Sequence, residues 1–295
     1  MKTLLIRTKD DLRTTLARAR KRGARIGLVP TMGALHAGHG VLMTAALDDC
    51  DFVVVSIFVN PTQFAAGEDL ARYPRDLSRD LDFVAQAGAQ AVFAPTVEEL
   101  YGRATEPLSQ TTFDIGDLAR VWEGALRPTH FAGVALVVAK LLMLVGPDCA
   151  WFGEKDYQQL CVVRQLVRDL DIACRIVGVP TVREADGLAL SSRNRYLDRD
   201  QRVRATALFA ALRAAQRTAD SGQRDARLLE DAARTELLSQ AEAGLEVGYC
   251  ALVDPATLEP VARLNRRARL LIAATLAGVH LIDNAEVTEP PGEDR

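Results

Sequence analysis

The chain predicts an α/β fold: a parallel sheet covered by helices, followed by a smaller C-terminal α+β domain. Three observations predict it. Short apolar runs alternate with helical patterns as far as Pro180. Several of these runs end at a glycine or proline, as strands feeding a turn do. After Pro180 the order changes to two long helical patterns and then three strand-like runs.

Taken in order, Ile26–Val29 is the first predicted strand. Phe52–Val59 is the second, apolar and β-branched enough to be buried on both faces. Ala91–Ala94 ends at Pro95, Cys149–Phe152 ends at Gly153, and Ala173–Val179 ends at Pro180. Helical patterns at Val41–Leu47, Leu77–Ala87, Val134–Leu144 and Gln158–Leu170 lie between them. A polar loop, Arg183–Arg195, leads into helices at Asp200–Ala219 and Ala226–Ala243. Strands are predicted at Val247–Val253, Leu270–Ala274 and Val279–Ile282. From Glu286 the chain is acidic with a double proline and is expected to be disordered. The expected division is therefore 1–180, 181–285 and a tail, 286–295.

The 295 residues are 48% hydrophobic, enough for a real core. With 36 basic and 39 acidic residues the net charge is −3, which gives no overall drive toward nucleic acid or an anionic membrane. Met1 to Arg7 is charged again too soon for a signal peptide. The longest apolar run, Phe131–Val145, is broken by Lys140 and falls short of the about 18 residues that span a bilayer. Cys50, Cys149, Cys161, Cys174 and Cys250 form no Cys-x-x-Cys pair and read as small hydrophobes in a reducing compartment. The expectation is a cytoplasmic protein.

Four stretches carry chemistry. The first is Pro30-Thr31-Met32-Gly33-Ala34-Leu35-His36-Ala37-Gly38-His39, between the first strand and an apolar helix. In a parallel sheet this turn lies at the carboxyl end of a strand, where ligands bind. Glycines let backbone N–H groups approach a phosphate, and the helix N-terminus favours negative charge. His36 and His39, three apart, can face one ligand. The plain alternative is a glycine-rich connection with incidental histidines. Zinc ligation lacks a third ligand at usable spacing. The second stretch, Phe58-Val59-Asn60-Pro61-Thr62-Gln63-Phe64, opens at the same sheet edge. Its amides suit hydroxyl and carboxylate recognition, or simply cap neighbouring backbone.

The third, Phe152-Gly153-Glu154-Lys155-Asp156-Tyr157-Gln158-Gln159, also joins a strand to a helix. Lys155 can reach phosphate oxygens as a point charge, and Gln159 lies on the helix's first turn. A solvated charged loop is the alternative. The fourth, Val182 to Asn194, contains Leu190-Ser191-Ser192-Arg193. Its hydroxyls and guanidinium can bind phosphate, or Ser and Asn can cap a helix. Arg127-Pro128-Thr129-His130 is a weaker candidate for a substrate contact. Asp80 and Asp82 could help hold magnesium, although acidic residues on an amphipathic helix usually form its solvated face.

The His-x-Gly-His turn with a late Ser-Ser-Arg loop resembles the nucleotidyl-transfer superfamily. All four motifs, in order from residue 26 to 195, are similar to the pantothenate synthetase (pantoate–β-alanine ligase) family. The resemblance implies a Rossmann-like sheet with a C-terminal lid domain. It also implies condensation of (R)-pantoate with β-alanine, using ATP, through a pantoyl adenylate, with Mg²⁺ and in a homodimer. Carried onto this chain, it assigns ATP to Met32, Gly33, Ala34, Leu35, His36, Ala37, Gly38 and His39. It further assigns ATP to Gly153, Glu154, Lys155, Asp156, Val182, Leu190, Ser191, Ser192 and Arg193. His39 is the implied proton donor, with His36, Lys155, Ser191, Ser192 and Arg193 around the phosphates. Gln63 and Gln159 are implied to hold pantoate, and Gln63 also borders the β-alanine site. Asn60, Arg127 and His130 are weaker substrate contacts. Ala185 stands where the family commonly has proline, and Leu190 where it has methionine. The alternative is an adenylyltransferase moving AMP onto a phosphorylated acceptor. A tRNA synthetase would need a basic anticodon-binding extension that this chain lacks. A non-catalytic nucleotide sensor would not need the histidines, Lys155 and Ser191-Ser192-Arg193 intact.

Overall fold

In the computed structural model, residues 3–65, 68–102, 108–240 and 244–290 are described. The chain divides into two compact units. Unit 1 comprises residues 1–154 and 158–181, and unit 2 comprises Lys155–Tyr157 and residues 182–295.

Unit 1 is built on a six-stranded parallel sheet. Its strands are β1 (Leu4–Ile6), β2 (Ile26–Thr31), β3 (Phe52–Ile57), β4 (Ala91–Phe93), β5 (Cys149–Gly153) and β6 (Arg175–Val179). The order across the sheet is β1-β4-β3-β2-β5-β6. The chain steps outward from β2 to β3 and β4 on one side, and from β5 to β6 on the other. The strand order therefore reverses between β2 and β5, and ligands bind beyond the carboxyl ends of strands at such a switch.

The helices are α1 (Lys9–Lys21), α2 (Ala37–Leu47), α3 (Leu77–Ala87), α4 (Val97–Tyr101), α5 (Glu123–Leu126), α6 (His130–Val145) and α7 (Tyr157–Asp169). The first strand and helix, β1 and α1, are absent from the sequence-based expectation. Three residues of β1 are too few to show a period, and α1 is arginine-rich with a narrow apolar stripe of Leu12, Leu16 and Ala19. Thr8 caps α1 by accepting from the Asp11 N–H at 3.1 Å. On one face of the sheet, Leu42, Met43 and Ala46 of α2 and Val84 of α3 pack with Val29, Val53, Val55 and Trp151. α6 packs against β2 and α1, and almost all its apolar residues are buried.

α6 also meets a short 3₁₀ turn, Pro61–Gln63, at very close range. A Cβ on Gly133 would lie 2.1 Å from the Thr62 carbonyl oxygen. The first residue of α6, His130, is largely enclosed. Its Nδ1 lies 2.9 Å from the Gln63 carbonyl, so that nitrogen carries the proton. Burial, with the Arg127 cation beside it, pushes the His130 imidazole down to about 4.

Unit 2 has an antiparallel sheet ordered β7 (Leu245–Val253), β8 (Arg267–Leu276), β9 (Val279–Thr288). Helices α9 (Ala207–Asp220) and α10 (Ala226–Leu238) cover one face, around Leu212, Leu229, Leu252, Leu270 and Ile272. The single helix expected over Asp200–Ala219 is two, because α8 (Arg199–Ala205) ends at Thr206. The Thr206 hydroxyl donates to the Val203 carbonyl at 2.6 Å, in competition with the helical ladder. The expected disorder from Glu286 is also corrected. β9 continues through Thr288, with Val287 fully buried opposite Ala268, and Glu289 N–H donates to the Arg266 carbonyl. Residues 291–295 of that expected tail lie outside the described residues. All five cysteines are free, and four of them are buried. Among the described residues no helix is long and apolar enough to cross a membrane.

Gly133→Ala is expected to lower stability by about 3 kcal/mol, since backbone on both sides must move. Urea denaturation measures it. A loss within error of zero would mean that the 3₁₀ turn yields freely. His130 gives a second expectation. Its depressed value means the unfolded chain binds the extra proton first, so stability is full above pH 6.5 and declines toward pH 4. Allowing for the part of the ring that solvent reaches, the loss is on the order of 2 kcal/mol. Denaturation curves at pH 7 and below pH 5 should show this decline, and His130→Gln should flatten it. An unchanged slope in the variant would assign the acid loss to other groups.

Candidate functional site

The turn after β2 is fixed before its histidines appear. The Thr31 hydroxyl donates to the Ser56 carbonyl at 2.7 Å and accepts from Gly33 N–H at 3.1 Å. Gly33 and Ala34 follow with φ of 82° and 52°, two consecutive left-handed residues. Alanine is strained there. The compensating contact comes from α3. Asp80, only 3% exposed, accepts from Ala34 N–H at 2.9 Å and Leu35 N–H at 2.8 Å. A Cβ at Gly33 would stand 2.8 Å from an Asp80 oxygen, so glycine is required by space as well as by φ. Asp80 is neither a solvated helix residue nor an open magnesium ligand, because its oxygens are committed to the turn. Leu35 then drops into the core beside Val29 and Leu42.

His36 occupies the N-cap of α2, with no acidic residue in the helix's first turn. Its carbonyl accepts from His39 N–H at 2.9 Å and Gly40 N–H at 3.2 Å. Its own N–H donates to His39 Nδ1 at 3.3 Å, and the two rings stand 4.1 Å apart. An accepting Nδ1 puts the neutral ring's proton on Nε2. The sequence-predicted pair is thus brought together at the positive end of a helix, with a defined tautomer on His39. Ala37 is exposed beside them, while Met32 and Gly38 are partly covered.

The residues expected to bind substrate after β3 have a different arrangement. Asn60 is 1% exposed, and both ends of its amide are engaged. Its oxygen accepts from the Thr62 hydroxyl at 2.9 Å and the Tyr101 hydroxyl at 2.7 Å. Its nitrogen donates to Gln63 Oε1 and to the Gly133 carbonyl, both at 3.1 Å. Arg127 makes a two-pronged ion pair with Glu68 at 2.8 and 2.7 Å and donates to the Gln63 carbonyl at 3.2 Å. His130 donates to that same carbonyl. Asn60, Arg127 and His130 therefore converge on Gln63, not on open space. Asn60 takes the Gln63 side-chain oxygen, so Gln63 presents its NH₂, which lies 2.7 Å from Met32 Sδ.

At the end of β5, Gly153 closes the strand and Glu154, still in unit 1, opens a 3₁₀ turn. Gln159 sits partly covered on the first turn of α7. Its neighbour Gln158, to which sequence reasoning gave no role, is buried. It donates to the Leu118 and Val121 carbonyls at 2.9 and 2.8 Å and accepts from Glu123 N–H at 3.0 Å. The signal was available: two adjacent glutamines on a helix point about 100° apart, so only one faces the sheet edge.

In unit 2, Lys155 Nζ lies 3.4 Å from Asp156 Oδ1. The segment read as a polar loop is an ordered hairpin-like turn. Leu190 N–H donates to the Val182 carbonyl at 2.9 Å, Arg183 bridges Ala189, and Gly187 N–H closes on the Glu184 carbonyl at 2.9 Å. Ala185 is exposed within that closed turn. Ser191 then caps a 3₁₀ turn, Ser192–Tyr196, accepting from Arg193 N–H at 3.3 Å. Among the described residues, no group of three or more His, Cys, Asp or Glu is placed to hold a metal ion.

The comparisons agree over nearly the whole length. A family model described as pantoate-beta-alanine ligase matches residues 4–286. A pantothenate synthetase from Rubrobacter xylanophilus is 50% identical over 285 residues, covering 95% of this chain and 97% of that protein. One from Rhizorhabdus wittichii is 50% identical over 289 residues, covering 97% and 99%. The crystal structure of pantoate-beta-alanine ligase (pantothenate synthetase) from Thermus thermophilus matches with a TM-score of 0.91 at 46% identity, covering 98% of this chain and 100% of that one. The pantoate-beta-alanine ligase from Francisella tularensis, solved in complex with beta-gamma ATP and beta-alanine, matches with a TM-score of 0.78 at 31% identity, covering 96% and 97%. With the fold, the histidine turn and these full-length matches in agreement, the chain belongs to the pantoate-beta-alanine ligase family.

Proposed function

We propose that this enzyme condenses (R)-pantoate with β-alanine at the expense of ATP, giving pantothenate, AMP and pyrophosphate. The observation that carries the proposal is the His36–His39 turn, fastened by Asp80 at the head of α2 in a chain matched from residue 4 to 286. The relative from Francisella tularensis, complexed with beta-gamma ATP and beta-alanine, supports ATP and β-alanine as ligands.

The reaction has two steps. A pantoate carboxylate oxygen attacks the α-phosphorus of ATP, and pyrophosphate leaves with the bonding electrons. The β-alanine amine then attacks the acyl carbon of pantoyl adenylate, an amide forms, and AMP leaves. The first step needs alignment and charge neutralisation more than a protein nucleophile. In unit 1, Met32 to His39, Gly153 and Glu154 contribute to ATP binding, and His39 Nε2–H donates toward the phosphates. In unit 2, the family resemblance carries ATP contacts onto Lys155, Asp156, Val182 and Leu190 to Arg193, with Lys155, Ser191, Ser192 and Arg193 as phosphate donors. Gln63 and Gln159 hold pantoate. Because the Gln63 oxygen is taken by Asn60, its NH₂ is the group offered to the substrate's carboxylate or hydroxyl. Asn60, Arg127 and His130 serve by holding Gln63.

Mg²⁺, bound to the triphosphate of ATP, would screen its charge. Transfer of AMP to a phosphorylated acceptor fits less well. Arg127, which donates to the Gln63 carbonyl, is ion-paired with Glu68. A cytoplasmic homodimer is the proposed working form, on the strength of the family resemblance.

Pyrophosphate–ATP exchange tests the reaction order. Exchange should require pantoate but not β-alanine, and AMP should be released when β-alanine is added. Exchange without pantoate, or none with it, overturns the proposal. His39→Ala should lower kcat by roughly 10²–10⁴-fold, the usual scale for a positioned proton donor. Near-normal turnover in a folded variant would remove that role from His39.

A further inference from the structure

The last strand carries a buried polar pair that the reaction scheme does not use. Asp283 and Asn284 lie in β9, opposite Ile272 and Leu271 of β8, and are 3% and 4% exposed. Adjacent strand residues face opposite sides of a sheet. Asp283 shares its face with Leu281 and Val287, under α9, and Asn284 faces the other way.

Each grips one of the segments assigned to ATP. Asn284 Nδ2 donates to the Lys155 carbonyl at 2.7 Å, and its oxygen accepts from Arg269 Nε at 2.7 Å. The Arg269 guanidinium lies 3.7 Å over the Tyr157 ring, whose hydroxyl donates to the Pro255 carbonyl at 3.0 Å. On the other face, Asp283 takes both Arg183 nitrogens at 2.6 and 2.9 Å. Arg183 in turn donates to the Gly187 carbonyl at 3.1 Å, inside the turn that leads to Ser191, and packs over Phe209 at 4.6 Å. The two halves are joined, since Asp283 Oδ1 also accepts from Asn284 N–H at 2.8 Å. All of these groups belong to unit 2.

A buried charge pair and a buried amide are costly where apolar side chains would fill the space. Besides the buried Arg269, their partners are the backbone of Lys155 and the base of the 182–193 loop. We infer that Asp283 and Asn284 are positioning residues for ATP turnover, fixing Lys155 on one face of β9 and the Ser191–Arg193 loop on the other. The inference rests on the reading of Lys155 and Ser191–Arg193 as phosphate-binding groups.

The test is steady-state pyrophosphate–ATP exchange with the full-length enzyme, varying ATP and pantoate separately. Asn284→Asp keeps the acceptor for Arg269 and deletes the donor to Lys155. It should lower kcat/KM for ATP about tenfold and leave KM for pantoate within about twofold, in a variant that stays folded at the assay temperature. Placed on Lys155→Ala, the same change should cost nothing further. Asp283→Asn, tested alone and on Arg193→Ala, gives the same comparison for the other face if Asn284→Asp does not fold. An equal cost in parent and Lys155→Ala backgrounds, or parallel losses for ATP and pantoate, overturns the inference. An impaired Lys155→Ala beside a silent Asn284→Asp overturns it alone, whereas unchanged ATP kinetics in Lys155→Ala overturns the phosphate reading and the inference together.

Discussion

The rest of the site depends on one buried carboxylate. Asp80 reaches from α3 to two backbone N–H groups in the turn after β2, and without it Ala34 has no evident reason to hold a left-handed conformation. Hydrogen bonds to a carboxylate contribute more than neutral ones, about 1.5–3 kcal/mol each. That exceeds the roughly 1–2 kcal/mol that a non-glycine residue costs in this region. The surplus fixes where Leu35 enters the core and where α2 begins. It therefore also fixes which way His36 and His39 face.

A similar logic surrounds Gln63. Its carbonyl is held by Arg127 and His130, its side-chain oxygen by Asn60, and the turn that carries it by close contact with Gly133. An amide can present either of two ends to a ligand. Asn60 engages one end, while Arg127, His130 and Gly133 hold the backbone that carries it, so the orientation of this amide is set by its neighbours.

The sheet and its ligand edge were legible because buried parallel strands read as unbroken apolar runs, and each motif sits where such a run ends. Ile26, Phe52, Ala91 and Cys149 all begin strands as read. β1 and α1 escaped because a three-residue strand has no period and α1 hides its stripe among arginines. The motif residues were legible as a set, but their division of labour was not. Asn60, Arg127 and Gln63 look alike as polar loop residues, and only burial shows that two of them serve the third. Asp80 looked like a solvated helix residue because its partners are backbone amides, which leave no mark on sequence. The tail was misjudged for a related reason. Its acidic, proline-bearing end is continuous in composition with Glu286–Thr288, yet Val287 is buried and the strand runs on.

Lys155–Tyr157 interrupts unit 1 while belonging to unit 2. The boundary between the units is thus not a point on the chain, and no single cut separates them. A fragment ending at Thr181 would keep these three residues but lose Asn284, Arg269 and Pro255, which hold them. It would display Tyr157 stripped of its covering. A fragment starting at Val182 would carry the grip with nothing to hold. In this chain the 155–157 segment therefore goes with Pro255, β8 and β9 as one block assembled from distant parts of the sequence.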